Sequence, residues 1–134
     1  MAIQVDERQD QRIIIIAFSD EGSDSVEANT REAAEALEAF VEVVGKPVVR
    51  ILVFDETIKF GQIVRGLATD LLDAGIGQDR EIETVMVGSQ TFLKAVATGL
   101  EGHSQYGPQS VALFTLLEEA LSYAETGSIL SRRG

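Results

Sequence analysis

Arg12-Ile13-Ile14-Ile15-Ile16-Ala17-Phe18 is the stretch on which the fold turns. Consecutive isoleucines present apolar side chains to both faces of an extended chain, so this run predicts a strand covered on both sides, as in the interior of a parallel sheet. Such a strand needs neighbours of its own kind. Val48 to Phe54, Ile82 to Val87 and Ser110 to Phe114 have the same β-branched, apolar character, and Ile3 to Val5 forms a shorter run ahead of them. The polar stretch Asp6 to Gln11 predicts a turn that folds the short first strand back on the isoleucine strand as an antiparallel hairpin.

Helical patterns separate the remaining strands. Val26, Thr30, Ala33, Leu37, Phe40, Val41 and Val44 share one face at helical spacing, while Glu27, Arg31, Glu35, Glu38 and Glu42 share the opposite one. Asp24 and Glu27 have capping-box spacing at its start, and Gly45 with Pro47 marks its end. Phe60, Ile63, Val64, Leu67, Leu71 and Leu72 predict a second helix that stops at Gly75. Ser89 can cap a third, carrying Phe92, Leu93, Val96 and Leu100, and Thr115 with Glu118 forms a second capping box for a fourth through Leu116, Leu117, Ala120, Leu121 and Ala124.

The order is therefore ββαβαβαβα. Helical crossovers between strands require a parallel arrangement, which makes this an α/β fold with a mainly parallel, mixed sheet of about five strands flanked by four helices. No linker or change of composition divides the chain, so residues 1–126 are expected to form a single domain, with 127–134 a frayed tail.

Composition narrows the function classes. The chain has 134 residues, of which 45% are hydrophobic and 25% charged, enough to build one core without a staple. It has no cysteine, which excludes disulfides, thiolate metal sites and a thiol nucleophile. No apolar run approaches the ~20 residues of a bilayer span, and Met1 to Glu7 lacks the features of a secretory signal. A cytoplasmic location is expected. Eleven Lys and Arg against 22 Asp and Glu leave a formal charge of −11, which argues against nucleic acid and anionic membranes as partners.

In open α/β sheets, ligands gather beyond the carboxyl ends of the strands. Three joints meet that description: Asp55 to Gly61, Gly88 to Gln90, and Phe114-Thr115. None carries a familiar catalytic motif. Ser89 lacks the flanking glycines of a nucleophile elbow, and it reads as a helix cap. Gly61 and Gly66 have the spacing of phosphate-loop glycines, but Leu67 stands where the lysine belongs. His103, the lone histidine, sits in the polar loop Gly102 to Gly107, and a single imidazole without thiols is a poor start for a transition-metal site. No metal and no cofactor is expected. Ser89 and His103 are kept as ligand-proximal candidates.

The chain resembles a STAS-like domain, the fold of bacterial anti-sigma factor antagonists and of the cytosolic tails of sulphate transporters. Four segments carry the resemblance: Arg12 to Phe18, Arg50-Ile51-Leu52-Val53-Phe54-Asp55, Thr84-Val85-Met86-Val87-Gly88-Ser89, and Leu113 to Leu121. In antagonist members, a serine just after the third strand is phosphorylated by a partner kinase. Here that joint reads Asp55-Glu56-Thr57-Ile58-Lys59-Phe60-Gly61, with Lys59 and Phe60 in place of the serines. Thr57 is the one hydroxyl available as a substitute phospho-acceptor.

What the resemblance implies is a bacterial cytosolic, non-enzymatic interaction or switch domain whose partner is another protein, with a homodimer left open. Asp55, Glu56, Thr57, Lys59, Phe60 and Arg65 form the expected interaction surface. The alternatives are a carrier for a small apolar ligand, which requires a cavity of ~300 Å³ or more, and, behind it, a small hydrolase-type enzyme.

Overall fold

The run of isoleucines becomes strand β2 (Ile13–Ser19), and Ile13, Ile14 and Ile16 are fully buried in it. The computed structural model describes residues 2–20, 25–55, 58, 81–94, 111–128 and 130. Around β2 it assembles β1 (Ala2–Arg8), β3 (Val48–Phe54), β4 (Ile82–Val87) and β5 (Val111–Phe114) into one sheet, in the order β1-β2-β3-β4-β5. β1 is antiparallel to β2, and the other pairings are parallel.

The first strand is longer than its apolar residues suggest. Ala2 through Arg8 pair with Ser19 back to Ile13, and a 3-10 turn, Gln9–Gln11, closes the hairpin. Backbone groups pair whatever the side chains are, so polar Asp6 and Glu7 extend the ladder. Charges on an edge strand also discourage pairing with other chains.

Three α-helical segments lie among the described residues. They are α1 (Val26–Val44), α2, which begins at residues 90–94, and α3 (Leu117–Thr126). The helix expected from Phe60 to Leu72 lies outside the described residues. In α1 the predicted apolar stripe is the buried one, since Thr30, Ala33, Leu37 and Phe40 face the core while Arg31, Glu35, Glu38 and Glu42 are exposed. Its cap differs from expectation: Ser25 is the N-cap, its hydroxyl oxygen accepting from the Ala28 N–H at 3.1 Å. At the other end Gly45 adopts φ 76°, the left-handed region that glycine enters without strain, and its N–H bonds to the Val41 carbonyl at 2.8 Å. Ser25→Ala should lower stability by about 1 kcal/mol. Thermal denaturation reads this as a midpoint drop on the order of 3–5 °C, and an unchanged midpoint would show that the cap does not form.

Alternation along the strands sorts the core into two halves. Ile14, Ile16 and Phe18 of β2, Val48 and Leu52 of β3 and Met86 of β4 pack with Leu37 and Phe40 of α1 and with Phe92 and Leu93 of α2. Ile13, Ile15, Val49, Ile51, Val85 and Val87 point the other way and pack under Ala120 and Ala124 of α3. Right-handed crossovers that advance steadily in one direction along a sheet deliver their helices to one face. A helix after the last strand is free of that rule, and α3 takes the opposite face.

The residues expected to fray are held at their start. The Ser128 side chain is fully buried, its hydroxyl donates to the Ala124 carbonyl, and Leu130 packs on the α3 side of the core.

Candidate functional site at the carboxyl ends of β3 to β5

Because β4 leads into α2 on one face and β5 leads into α3 on the other, the chain diverges between these neighbouring strands. Divergence of that kind opens a crevice past the carboxyl ends, and α/β sheets receive ligands there. An open cleft of about 710 Å³ occupies this place, lined by Val53, Phe54, Asp55, Val87, Gly88, Ser89, Gln90, Thr115, Leu116 and Leu117. Asp55, Gly88 to Gln90 and Thr115, which belong to the three joints singled out in the sequence, therefore line one depression. Another hollow, of about 460 Å³, is lined among the described residues by Glu7 to Gln11. It is the back of the hairpin turn at the far end of the sheet.

Each wall of the cleft has a local cause. Asp55 follows β3 directly; its N–H donates to the Phe18 carbonyl at 3.0 Å and its carbonyl accepts from the Ile58 N–H at 3.1 Å, which holds the exposed residue at the rim. Ser89 caps α2 as expected. Its hydroxyl oxygen accepts from the Phe92 N–H at 3.2 Å, and the Leu93 N–H reaches the Ser89 carbonyl at 2.9 Å. Capping keeps the hydroxyl engaged with the backbone while Ser89 stays exposed.

Gly88 shapes the floor. A Cβ there would stand 2.4 Å from Cδ1 of Phe92, so only a residue without a side chain lets α2 start so close to β4. The Phe92 ring lies 4.7 Å from that of Phe54, which stacks on Phe18 at 5.1 Å. These rings brace the joints from below.

The third wall departs from expectation. Leu116, not Thr115, is the N-cap of α3, with extended backbone (φ −126°, ψ 135°) and no side-chain cap, so the Thr115/Glu118 capping box does not form. Outside the first turn, Leu116 leaves the apolar stripe it seemed to belong to, and the residue is 55% exposed. A pair of adjacent leucines was the available hint, because neighbours in a helix sit ~100° apart and seldom share one narrow face.

Arg50 was also missed. It occupies the centre of β3 on the α1 side, is only 1% exposed, and donates from Nη2 to the Thr84 hydroxyl of β4 at 2.9 Å. Its neighbours in sequence give no sign of a buried cation.

Comparisons of the chain with family models, curated proteins and solved structures gave no match.

Of the sequence candidates, Asp55 and Ser89 meet at the cleft. Glu56, Thr57, Lys59, Phe60, Arg65 and His103 lie outside the described residues. Among the described residues no three carboxylate or imidazole side chains converge on a metal-sized site, and no helix is long and apolar enough to cross a membrane.

Proposed function

We propose that this chain is a protein-recognition domain of the STAS type, working by binding and not by catalysis, and that its partner is received at the carboxyl ends of β3 to β5. The observation that carries this reading is the form of the cleft. It is wide open, and an exposed leucine stands on its rim. A pocket that sequesters a small molecule must cover most of that molecule's surface, whereas an open depression beside an apolar side chain suits a partner that brings its own surface to close it. The mixed sheet with an antiparallel first strand and Asp55 at the end of β3 support the STAS resemblance, whose antagonist members act through a partner protein.

Affinity capture from native cytosol tests the reading, using the wild type, Leu116→Glu and Asp55→Lys. Both positions are exposed, so the variants should keep their stability to within about 0.5 kcal/mol. A partner retained by the wild type and reduced about tenfold or more by either variant is the expected result. Equal recovery on all three would remove the cleft as the contact.

The cleft volume favours one second reading. About 710 Å³ falls in the range of ligand sites, which suits a carrier of a small molecule. A cytosolic small-molecule extract that raises the wild-type melting temperature but not that of Leu116→Glu would select it.

A further inference from the structure

We infer that the partner adds an extended segment to the open edge of the sheet, pairing its backbone with β5 and laying uncharged, apolar side chains beside Leu113 and Phe114. The inference rests on the protein-recognition reading and gives the form of the partner where it meets β5.

The sheet ends on β1 at one side and on β5 at the other, and among the described residues no strand pairs with the outer side of either. An unpaired strand presents a row of N–H and C=O groups, and another extended chain is what matches that spacing. At β5 one bond fixes the direction of the row. The Phe114 carbonyl accepts from the Gly88 N–H at 3.1 Å, so it faces β4. A trans peptide sends its N–H the opposite way, which turns the Thr115 N–H outward, and the alternation of a strand turns the Leu113 N–H and C=O outward with it.

The two edges differ in chemistry. β1 carries Asp6, Glu7 and Arg8, whose charges guard it against a further strand. Val111 to Leu116 holds no charged residue, and Ala112, Leu113 and Phe114 are only half-buried. Leu113 packs on the α1 side of the sheet, while Phe114 lies on the α3 side with its ring 5.5 Å from that of half-buried Tyr123. Side chains of an added strand alternate between the two faces and find apolar surface on both. Leu116, 55% exposed just past β5, continues that surface into the cleft. A second copy of the chain is a poor occupant, because each copy carries a net charge of −11.

Fluorescence anisotropy with synthetic peptides tests the inference. The first probe alternates valine and threonine over about eight residues, the length of an ordinary strand. Two others carry methyl groups on the odd or on the even backbone nitrogens of the same sequence, and a fourth has serine for valine. The first probe should bind the wild type at concentrations below about 1 mM. Methylation of the nitrogen row that bonds to β5 should weaken it about tenfold or more, and so should serine for valine. Thr115→Pro, which withdraws an outward donor at an exposed position, should weaken the first probe to a similar extent. Exchange of the Leu113 N–H with solvent, followed by NMR, should slow about tenfold or more when the first probe saturates the wild type.

Equal binding of the methylated and unmethylated probes, or an unchanged Leu113 N–H, would overturn strand addition. Equal binding of the serine probe would overturn the apolar character of the partner. If no probe binds while the cytosolic partner is still lost with Leu116→Glu, edge pairing fails and the protein-recognition reading stands. If the capture also ignores the cleft variants, both fail. Sedimentation of the chain alone guards against a different occupant: a dimer dissociated by Thr115→Pro would place a second copy on β5 and overturn a foreign segment.

Discussion

Arg50→Ala is expected to lower the unfolding free energy by about 3–5 kcal/mol, a large share of the ~5–15 kcal/mol typical of a small domain. The guanidinium is always charged, and a charge survives burial only when polar partners replace the water it has lost. Across the β3–β4 pairing, where Arg50 stands opposite Thr84, Nε and Nη2 donate to the Thr84 hydroxyl at 3.3 and 2.9 Å. Truncation removes a long side chain from a close-packed interior and leaves the hydroxyl facing a void. Thr84→Val keeps the volume but withdraws an acceptor from a buried cation, a loss of about 1.5–3 kcal/mol. Arg50→Met should recover part of the alanine loss, and adding Thr84→Val to it should cost far less than in the wild type. Urea denaturation of the four variants measures this coupling. A loss below about 1 kcal/mol for Arg50→Ala would mean that the side chain is not held in the core as described.

The second large effect is at the floor of the cleft. Phe92→Ala should cost about 3–5 kcal/mol, since the ring is nearly buried and braces Phe54. Gly88→Ala acts on the same contact from the other side. Its methyl would approach Cδ1 at 2.4 Å and Cε1 at 3.0 Å, and the ring cannot retreat without disturbing the stack behind it. A loss of about 1–3 kcal/mol is expected from this overpacking. Combining Gly88→Ala with Phe92→Leu should give a double variant more stable than the sum of the two losses, because a smaller, flexible side chain makes room for the methyl. Strict additivity in chemical denaturation would show that the two residues do not touch.

Legibility differed from element to element for physical reasons. The boundaries of β3 and β4 could be read directly, because each is a β-branched, mostly apolar run that stops at polar or turn residues, Pro47 and Asp55 for β3 and Glu81 and Gly88 for β4. β1 was read short, since half of an edge strand faces water and looks like a loop. The stop of α1 at Gly45 and the cap at Ser89 were evident, whereas Ser25 took the place expected for Asp24, and Thr115 gave way to Leu116. Cap positions depend on where the chain enters a helix, and neighbouring polar residues are equivalent until that direction is set. Arg50 escaped notice because a cation in an apolar run has the same neighbours whether it reaches solvent or not.

The residues alone were enough to establish alternating strands and helices, a sheet interior rich in isoleucine and valine, and an acidic molecule without thiol chemistry. These properties follow from local periodicity and composition, which survive in one dimension. The side of the sheet chosen by α3, the meeting of Asp55, Gly88 to Gln90 and Thr115 in one cleft, and the exposure of Leu116 became visible only when the chain was folded. Each depends on residues far apart in sequence sharing a small volume, and strand pairing, crossover handedness and packing settle that together.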